Sequence, residues 1–347
     1  MATKVLVTGV SGFIARQVAL DLLNGGYLVR GTVRDASRAE SVRETLARAG
    51  ADVSKLEFVE ADLDSDAGWE DALRGTRYVQ HIASPFPLEQ PRDREALVPA
   101  ARAGALRVLS AARDAGVDRV VLTSSVAAVE YRPGRPRELV IREDDWTDPE
   151  WAPLSPYIVS KTRAERAAWD WAVAHGWRER LTVVNPGFVL GPTLDARIGT
   201  SLEVIKLFLD GAYPATPNVT FTVADVRDVS AVHVRAMERP AAGGRRLIAA
   251  GQTLSLPEIG EILREAFPAF ANEIPKRTLP DLLVRLLALF DRSLRSLTPN
   301  LGHVVRAESA YVTELTGVSF RPAAEAVRDA ARSMIEHGVV SLPSPQS

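Results

Sequence analysis

The side chains best suited to acid–base chemistry are those of Tyr157 and Lys161, which lie four positions apart. On a helix this spacing brings both side chains to one face. A phenol normally keeps its proton at pH 7, and a nearby ammonium favours the phenolate and lowers the pKa of the phenol. The spacing therefore predicts a Tyr–Lys pair that transfers a proton, with Tyr157 as the donor.

Two serines that can act with this pair follow the predicted strand at residues 120–123. A hydroxyl beside the tyrosine can orient a substrate oxygen and stabilise the negative charge that develops on it. Tyr-x-x-x-Lys alone is common by chance. Here it follows a glycine-rich turn and the Ser124-Ser125 strand end in chain order, so the sequence predicts a Ser–Tyr–Lys catalytic set.

The glycine-rich turn comes directly after the first predicted strand and opens a helix. Gly9 permits the tight turn, and Gly12 allows the backbone to approach a pyrophosphate, which the N-terminus of the helix attracts. Ala15 occupies the third small position, so the spacing is G-x-x-G-x-x-A. This pattern predicts a dinucleotide site, whose turn residues are Gly9, Ser11, Gly12, Phe13 and Ile14.

The end of the second predicted strand bears on the choice between NADP and NAD. Arg34 can pair with a 2′-phosphate, whereas an acidic side chain there would bind the ribose hydroxyls of NAD. Arg34 favours NADP(H), with Arg38 as a second possible phosphate contact. Because Asp35 is acidic, NAD stays an alternative cofactor. The other interpretation of Arg34 is a solvated surface charge.

Two further strand ends border the predicted cofactor path. Asp62 and Leu63 follow the third strand, where a carboxylate can accept from the adenine amino group, or serve as a helix N-cap. Ala83 and Ser84 follow the fourth strand, and their small side chains suit a loop lying against a ribose. His81, just before them, is as easily a buried structural residue as a functional one.

The elements that must position these residues alternate between strands and helices. Short apolar runs predict strands at residues 4–8, 28–33, 56–61, 78–83, 120–123 and 181–185, and helical apolar stripes separate several of them. This alternation predicts an α/β fold, a Rossmann-type doubly wound parallel sheet. We divide the chain into residues 1–190, which hold the cofactor and catalytic residues, and residues 191–340. The latter form a smaller, mostly helical substrate lobe with some segments returning to the main sheet.

Composition narrows the class of protein. The 347 residues carry a formal net charge of −2 and no cysteine, so no overall field attracts nucleic acid or anionic lipid, and thiolate metal sites are excluded. We expect no metal, no membrane partner and a cytoplasmic location, since the N-terminus lacks a secretory pattern. The apolar stretch 282–290 predicts an amphipathic helix that buries one face, with a lid or a dimer contact as alternatives.

The chain resembles a known family in several motifs. It is similar to the extended short-chain dehydrogenase/reductases, and within them to the dihydroflavonol 4-reductase-like branch, which also holds cinnamoyl-type reductases and fungal and bacterial aldehyde and ketone reductases. The matching stretches are residues 27–35 (YLVRGTVRD), 121–125 (VLTSS), 157–169 (YIVSKTRAERAAW), 185–192 (NPGFVLGP) and 333–338 (SMIEHG).

The resemblance implies roles for particular residues. It implies that Ser125 is the catalytic serine, with Ser124 as the alternative if the loop shifts by one residue. It also implies that Lys161 binds the nicotinamide ribose and that Arg34 binds the NADP phosphate. Three residues would flank the nicotinamide: Pro186, Gly187 and Phe188.

One departure from the family bears on the substrate. Where flavonoid reductases carry an Asn that contacts the substrate, this chain has Glu130, which puts a flavonoid substrate in doubt. The basic stretch 132–137 that follows is expected to be a solvated loop, or less readily a contact for an acidic substrate.

The leading functional hypothesis is NADPH-dependent reduction of an aldehyde or ketone to an alcohol. A nucleotide-sugar epimerase or dehydratase is the second, although no carboxylate follows Ser125 to support elimination. A hydroxysteroid dehydrogenase and a non-catalytic NADPH sensor are the others, and the retained Tyr157 and Lys161 argue against the sensor. The sequence leaves open whether the chain is a monomer or a homodimer.

Overall fold

A computed structural model describes residues 2–84 and 91–343. Its strands are β1 (Lys4–Val7), β2 (Leu28–Val33), β3 (Leu56–Glu60), β4 (Tyr78–His81), β5 (Arg119–Thr123), β6 (Glu138–Ile141), β7 (Leu181–Pro186), β8 (Phe188–Leu190), β9 (Thr216–Pro217), β10 (Thr220–Asp225), β11 (Arg246–Ala249), β12 (Thr253–Ser255), β13 (Thr278–Leu279) and β14 (Val304–Ala307).

The helices alternate with these strands over the first part of the chain and dominate its later part. They are α1 (Phe13–Asn24), α2 (Arg38–Arg48), α3 (Trp69–Leu73), α4 (Val98–Asp114), α5 (Pro156–Ala174), α6 (Thr200–Leu209), α7 (Val226–Glu238), α8 (Leu256–Ala266), α9 (Asp281–Leu287), α10 (Arg292–Leu297), α11 (Ala310–Thr316) and α12 (Ala323–Glu336).

Seven parallel strands form the main sheet in the order β11-β7-β5-β4-β1-β2-β3. The chain runs outward from β1 in one direction through β2 and β3, and in the other through β4, β5 and β7. Ligands in such sheets bind at the carboxyl ends of the strands where the order reverses, here between β1 and β4. The prediction of a doubly wound parallel sheet is confirmed, and six of its strands lie where the sequence predicted them.

Helices cover both faces of this sheet because each presents an apolar stripe. On one face α1 and α7 pack together through residues such as Val18 and Val229. On the other face α4 and α5 pack through Val108 and Ala168. Helix α5, which carries Tyr157, begins with Pro156 after Ser155, whose side chain accepts a hydrogen bond from the Ile158 N–H.

A second apolar core lies among α6, α8 and α12, around buried residues such as Phe208, Leu263 and Met334. Strands β8, β10 and β12 form a small sheet beside it. Between α6 and α8 the chain returns to the main sheet, with α7 on its face and β11 at its edge. The sequence did not predict the short strands β6, β8, β9, β12, β13 and β14, and the division at residue 190 stays a prediction.

The helix predicted at residues 282–290 does not bury a whole apolar face. Helix α9 covers Asp281–Leu287, and only Val284 and Ala288 of the apolar stretch are buried. Leu282 is 72% exposed and Phe290 is 90% exposed, so the helix buries a narrower face than predicted. Only Val284 and Ala288, four residues apart, are buried, while Leu283 and Leu287 stay 40% and 41% exposed. No helix in the described part of the chain has the length and apolarity to cross a membrane.

Candidate functional site

The carboxyl ends of β1 and β4 are joined by the hydroxyl of Thr8. Its oxygen accepts hydrogen bonds from the N–H groups of Ile82 at 3.0 Å and Ala83 at 2.9 Å, and it lies 3.0 Å from Nδ1 of His81. His81 is buried, and burial, followed by the charge of Lys161, lowers its pKa to about 3. His81 is therefore a neutral residue that fixes the strand end, which agrees with the structural alternative.

The glycine-rich turn fits a close approach by a phosphate group. Gly9 has a φ of 60°, and a Cβ there would lie 2.9 Å from that of Ala83, so a larger residue would be strained. A Cβ on Gly12 would meet only the Gly9 carbonyl oxygen, at 3.3 Å, and the space beyond it at the N-terminus of α1 is open. Ser11, Phe13 and Ile14 line the turn and are partly exposed.

The end of β2 carries two exposed arginines, Arg34 and Arg38. Asp35 between them accepts a hydrogen bond from the Ser37 N–H at 2.9 Å, and bonds from the Ser37 side chain and backbone lower its pKa. The Asp35 carboxylate is therefore engaged in its own turn. Arg34 and Arg38 remain as the cations at this edge of the site.

Leu63, which the sequence predicts to lie near the adenine, meets helix α5 around a cavity of about 30 Å³. Asp62 accepts from the Asp64 N–H at 3.1 Å, while α3 begins only at Trp69 with Gly68 as its N-cap. The N-cap alternative for Asp62 is therefore wrong. The cavity is lined by Leu63, His81, Ala83, Ser84, Ala101, Ala105, Leu122, Thr123, Ser124, Lys161, Ala164 and Glu165.

Tyr157 and Ser125 are in side-chain hydrogen-bond contact. The hydroxyl of Ser125 also accepts from the Ala127 N–H at 3.1 Å, because Ser125 caps the short turn that follows β5. Burial raises the pKa of Tyr157, and the bond to Ser125 opposes this only in part. The pKa of Tyr157 therefore lies above its ordinary value, and the net lowering that we expected from Lys161 is not found. Removal from water outweighs the remaining interactions.

Lys161 lies one helical turn after Tyr157, with its side chain partly exposed to the cavity. Burial lowers its pKa to about 8, and the charge of Glu165 opposes that shift. Within residues 2–84 and 91–343 no group accepts a hydrogen bond from its ammonium. The ammonium is thus a donor available to a ligand that enters this site.

The three residues predicted to flank a nicotinamide lie where β7 gives way to β8. Pro186 ends β7, and the Gly187 N–H donates to the Ala249 carbonyl at 3.1 Å. A Cβ on Gly187 would lie 2.2 Å from the Thr222 carbonyl oxygen, so only glycine fits. Phe188 stacks on Phe221 with ring centroids 4.8 Å apart. Strand β7 lies next to β5, so Pro186, Gly187 and Phe188 lie at the same carboxyl end of the sheet as Ser125.

Glu130 and Arg135 form a packed cluster, while most of the stretch 132–137 is an exposed loop as expected. Burial raises the pKa of Glu130 against the opposing charge of Arg135. Arg135 is only 6% exposed, stacks 4.7 Å from the Tyr131 ring, and donates to the Asn300 side chain at 2.9 Å. The expectation of a solvated loop is wrong for Arg135, because its planar guanidinium finds an aromatic face and oxygen acceptors. Arg137 is exposed.

Sequence reasoning missed a buried polar network beside the predicted catalytic serine, Ser125. The carboxylate of Glu165 accepts hydrogen bonds from Ser124 at 2.5 Å, Asn185 at 2.7 Å and Arg246 at 2.6 Å. Glu165 follows Lys161 by four positions, and this spacing is the signal that places both side chains on one face of a helix. No sequence signal marked Arg246, which comes from β11 about 80 residues further along the chain.

The fold and the glycine-rich turn define a Rossmann-type protein with a dinucleotide-site geometry at the switch point of its sheet. The sequence model of the NAD dependent epimerase/dehydratase family matches residues 5–251. The chain belongs to this family. The resemblance to its dihydroflavonol 4-reductase-like branch is confirmed.

Several characterised relatives are reductases. The chain is 35% identical over 286 residues to cinnamoyl-CoA reductase CAD2 of Medicago truncatula, covering 81% of this chain and 85% of the relative. It is 33% identical over 298 residues to the putative NADPH-dependent methylglyoxal reductase GRP2 of Candida albicans, covering 79% and 86%. The crystal structure of yeast methylglyoxal/isovaleraldehyde reductase Gre2 complexed with NADPH superposes with a TM-score of 0.79 at 26% identity, covering 97% of this chain and 100% of that one.

Proposed function

We propose that this chain reduces the carbonyl group of an aldehyde or ketone to an alcohol, with NADPH as the cofactor and Tyr157 as the proton donor. The chain is an NADP-dependent oxidoreductase, as its reductase relatives support. The observation that carries the finer proposal is the contact between Ser125 and Tyr157, with Lys161 one turn further on. These three groups lie at the carboxyl end of the sheet, on the same side as the glycine-rich turn.

The residues around the turn supply a binding path for NADPH. Gly12 and the N-terminus of α1 would receive the pyrophosphate, lined by Gly9, Ser11, Phe13 and Ile14. Arg34 would pair with the 2′-phosphate. The remaining contacts along the path would come from Asp62, Leu63, Ala83, Ser84, Tyr157, Lys161, Pro186, Gly187 and Phe188.

Each catalytic side chain has a distinct part in the reaction. NADPH, when bound, supplies the hydride that reaches the carbonyl carbon. Tyr157 remains protonated at neutral pH because burial raises the pKa of its phenol, so it can give a proton to the carbonyl oxygen as that oxygen becomes an alcohol. Ser125 orients the same oxygen by a hydrogen bond. Lys161, still charged near neutral pH, stabilises the phenolate that Tyr157 leaves behind.

The substrate class is a small or aryl-substituted carbonyl compound. The relatives' names point to methylglyoxal, which fits this reaction, and to a cinnamoyl thioester, whose reduction by hydride would instead release a thiol and give an aldehyde. Glu130, at the position where flavonoid reductases carry a substrate-binding Asn, disfavours a flavonoid. Glu130 packs against Tyr131 and Arg135, and a carboxyl group has no amide N–H to donate to a flavonoid oxygen.

The experiment that tests the proposal follows the loss of NADPH absorbance with a panel of carbonyl compounds. The panel holds methylglyoxal, other aldehydes, α-keto esters, aryl ketones, a cinnamoyl thioester, a flavanonol and a steroid ketone, with NADH run in parallel. Turnover that prefers NADPH and disappears in Tyr157→Phe supports the proposal. NADPH binding without turnover of any compound would contradict it and favour a sensor, and tightly held NAD in the purified protein would favour an epimerase.

A further inference from the structure

Glu165 is a fully buried carboxylate beside the proposed catalytic residues, and its hydrogen bonds come from three different strands. Ser124 at the end of β5 donates to Oε2 at 2.5 Å, and Asn185 on β7 donates to the same oxygen at 2.7 Å. Arg246 on β11 donates to Oε1 at 2.6 Å. The carboxylate is therefore held in one position relative to the sheet.

Arg246 is itself fixed by several contacts. Its guanidinium lies 3.8 Å from the centre of the Trp146 ring and donates to the carbonyl oxygens of Glu143 at 2.7 Å and Asp145 at 2.5 Å. The Glu143 carboxylate pairs instead with Arg245. A buried ion pair costs desolvation that a well-packed apolar pair avoids, so stability alone is a weak reason for it.

The fixed carboxylate shares a small cavity with Lys161. Glu165 and Lys161 are one turn apart on α5, and both line the cavity of about 30 Å³ together with polar groups of Thr123 and Ser124. From β4 the only titratable neighbour is His81, which is neutral. Helix α4 contributes only Ala101 and Ala105. Glu165 is thus the negative charge that faces Lys161 from these elements, and Arg246 pairs with its carboxylate.

We propose that Glu165 is a positioning residue for proton transfer, whose fixed carboxylate keeps the ammonium of Lys161 charged where burial would otherwise remove its proton. This rests on the proposed function, in which Lys161 must be a cation beside Tyr157 and at the cofactor ribose. Glu165 touches neither substrate nor cofactor in this account. Its effect passes through Lys161.

The sign of the effect follows from the charges. Without Glu165, Lys161 faces burial and the charge of Arg246 with no opposing anion, so the ammonium loses its proton at a lower pH. Without Arg246, the anion acts on Lys161 undiminished, and the ammonium keeps its proton to a higher pH. Removal of the Glu165 charge displaces the titration by about one pH unit at the separation of a helical turn, and removal of the Arg246 charge displaces it by less.

The test uses the full-length protein with NADPH and compares Glu165→Gln with Arg246→Gln. For each, NADPH affinity from cofactor fluorescence and turnover of the best carbonyl substrate are measured between pH 6 and 10, with melting curves to verify folding. We expect the alkaline fall in both properties to move to lower pH in Glu165→Gln and to higher pH in Arg246→Gln. Glu165→Asp, which keeps the charge, should restore the wild-type position.

Asp170→Asn is the matched control, because Asp170 lies on the same helix and is exposed. Its profile should equal that of the wild type. Unmoved profiles in folded Glu165→Gln and Arg246→Gln, or equal shifts in one direction, would overturn the proposal, since a merely structural role predicts no opposed shifts. If only one of the two variants folds, the direction of its own shift tests the proposal.

If neither single variant folds, the double variant, which buries no unpaired charge, decides. Its alkaline fall should still lie at lower pH than that of the wild type, because Lys161 then lacks the anion one helical turn away, and an unmoved profile would contradict the proposal. Failure of the wild type to reduce any carbonyl would sink the proposed function alone, because the pH profile of NADPH binding still tests Glu165.

Discussion

Ser124 and Ser125 are chain neighbours, yet their side chains serve two different regions of the molecule. Ser125 contacts Tyr157 on the side that we call the reacting side, which holds Ser125, Tyr157 and Lys161. Ser124 donates to Glu165 on the side that we call the supporting side, which holds Ser124, Glu165, Asn185 and Arg246. Extended backbone sends successive side chains in opposite directions. One strand end can therefore supply a reactive group and anchor the helix that carries its partners.

The largest expected effect is on the reacting side. Tyr157→Phe removes the proposed proton donor and should lower turnover by about three orders of magnitude. The melting temperature and the dissociation constant for NADPH should change little, because the ring and its packing remain. Steady-state rates and a cofactor fluorescence titration check this. Near-normal turnover would eliminate the proposed mechanism.

On the supporting side the main effect should be on stability. Arg246→Met removes one partner of a buried ion pair and leaves the Glu165 carboxylate uncompensated. We expect the free energy of unfolding to fall by about 3–5 kcal/mol. Denaturant titration measures it. A loss below 1 kcal/mol would mean that the pair behaves as a surface salt bridge and that the two sides do not differ in the way described.

The cofactor edge should respond differently from both sides. Arg34→Ala should weaken NADPH binding by about tenfold or more, since a charge-assisted contact to the 2′-phosphate is lost. NADH binding, turnover at saturating NADPH and thermal stability should stay near wild-type values. Arg38→Ala serves as the comparison four residues away. Equal weakening of NADH binding and NADPH binding would show that Arg34 does not contact the 2′-phosphate.

The pH dependence of turnover in the wild type should follow the protonation of Lys161 on the reacting side. The pKa of Lys161 is lowered to about 8, while that of Tyr157 is raised. The active form has both groups protonated, so carbonyl reduction should decline as Lys161 loses its proton. The expected fall between pH 7.5 and pH 8.5 is about threefold. A flat rate across this interval would mean that the charge of Lys161 does not matter to the reaction.

The sequence predicted the reacting side much better than the supporting side. Tyr157 and Lys161 lie on one helix, and the turn at Gly9 and Gly12 is local, so spacing alone predicted where they lie. Arg246 reaches Glu165 only because β11 joins the main sheet beside β7. No local sequence pattern predicts a contact between residues so far apart in the chain. The exposed stretch at residues 282–290 misled for a related reason, because periodicity predicts which face is apolar but not whether anything packs on it.

The central claim, that the two sides divide chemistry from positioning, is tested most directly by Ser125→Ala and Ser124→Ala measured together. We predict that Ser125→Ala loses turnover by about 10²–10³-fold and loses only about 1 kcal/mol of stability, because its hydroxyl also caps the turn after β5. Ser124→Ala should retain most of its turnover and lose about 1.5–3 kcal/mol of stability, because the Glu165 carboxylate loses a hydrogen bond. If instead Ser124→Ala abolishes turnover and Ser125→Ala does not, the assignment of the two serines is reversed and the account fails.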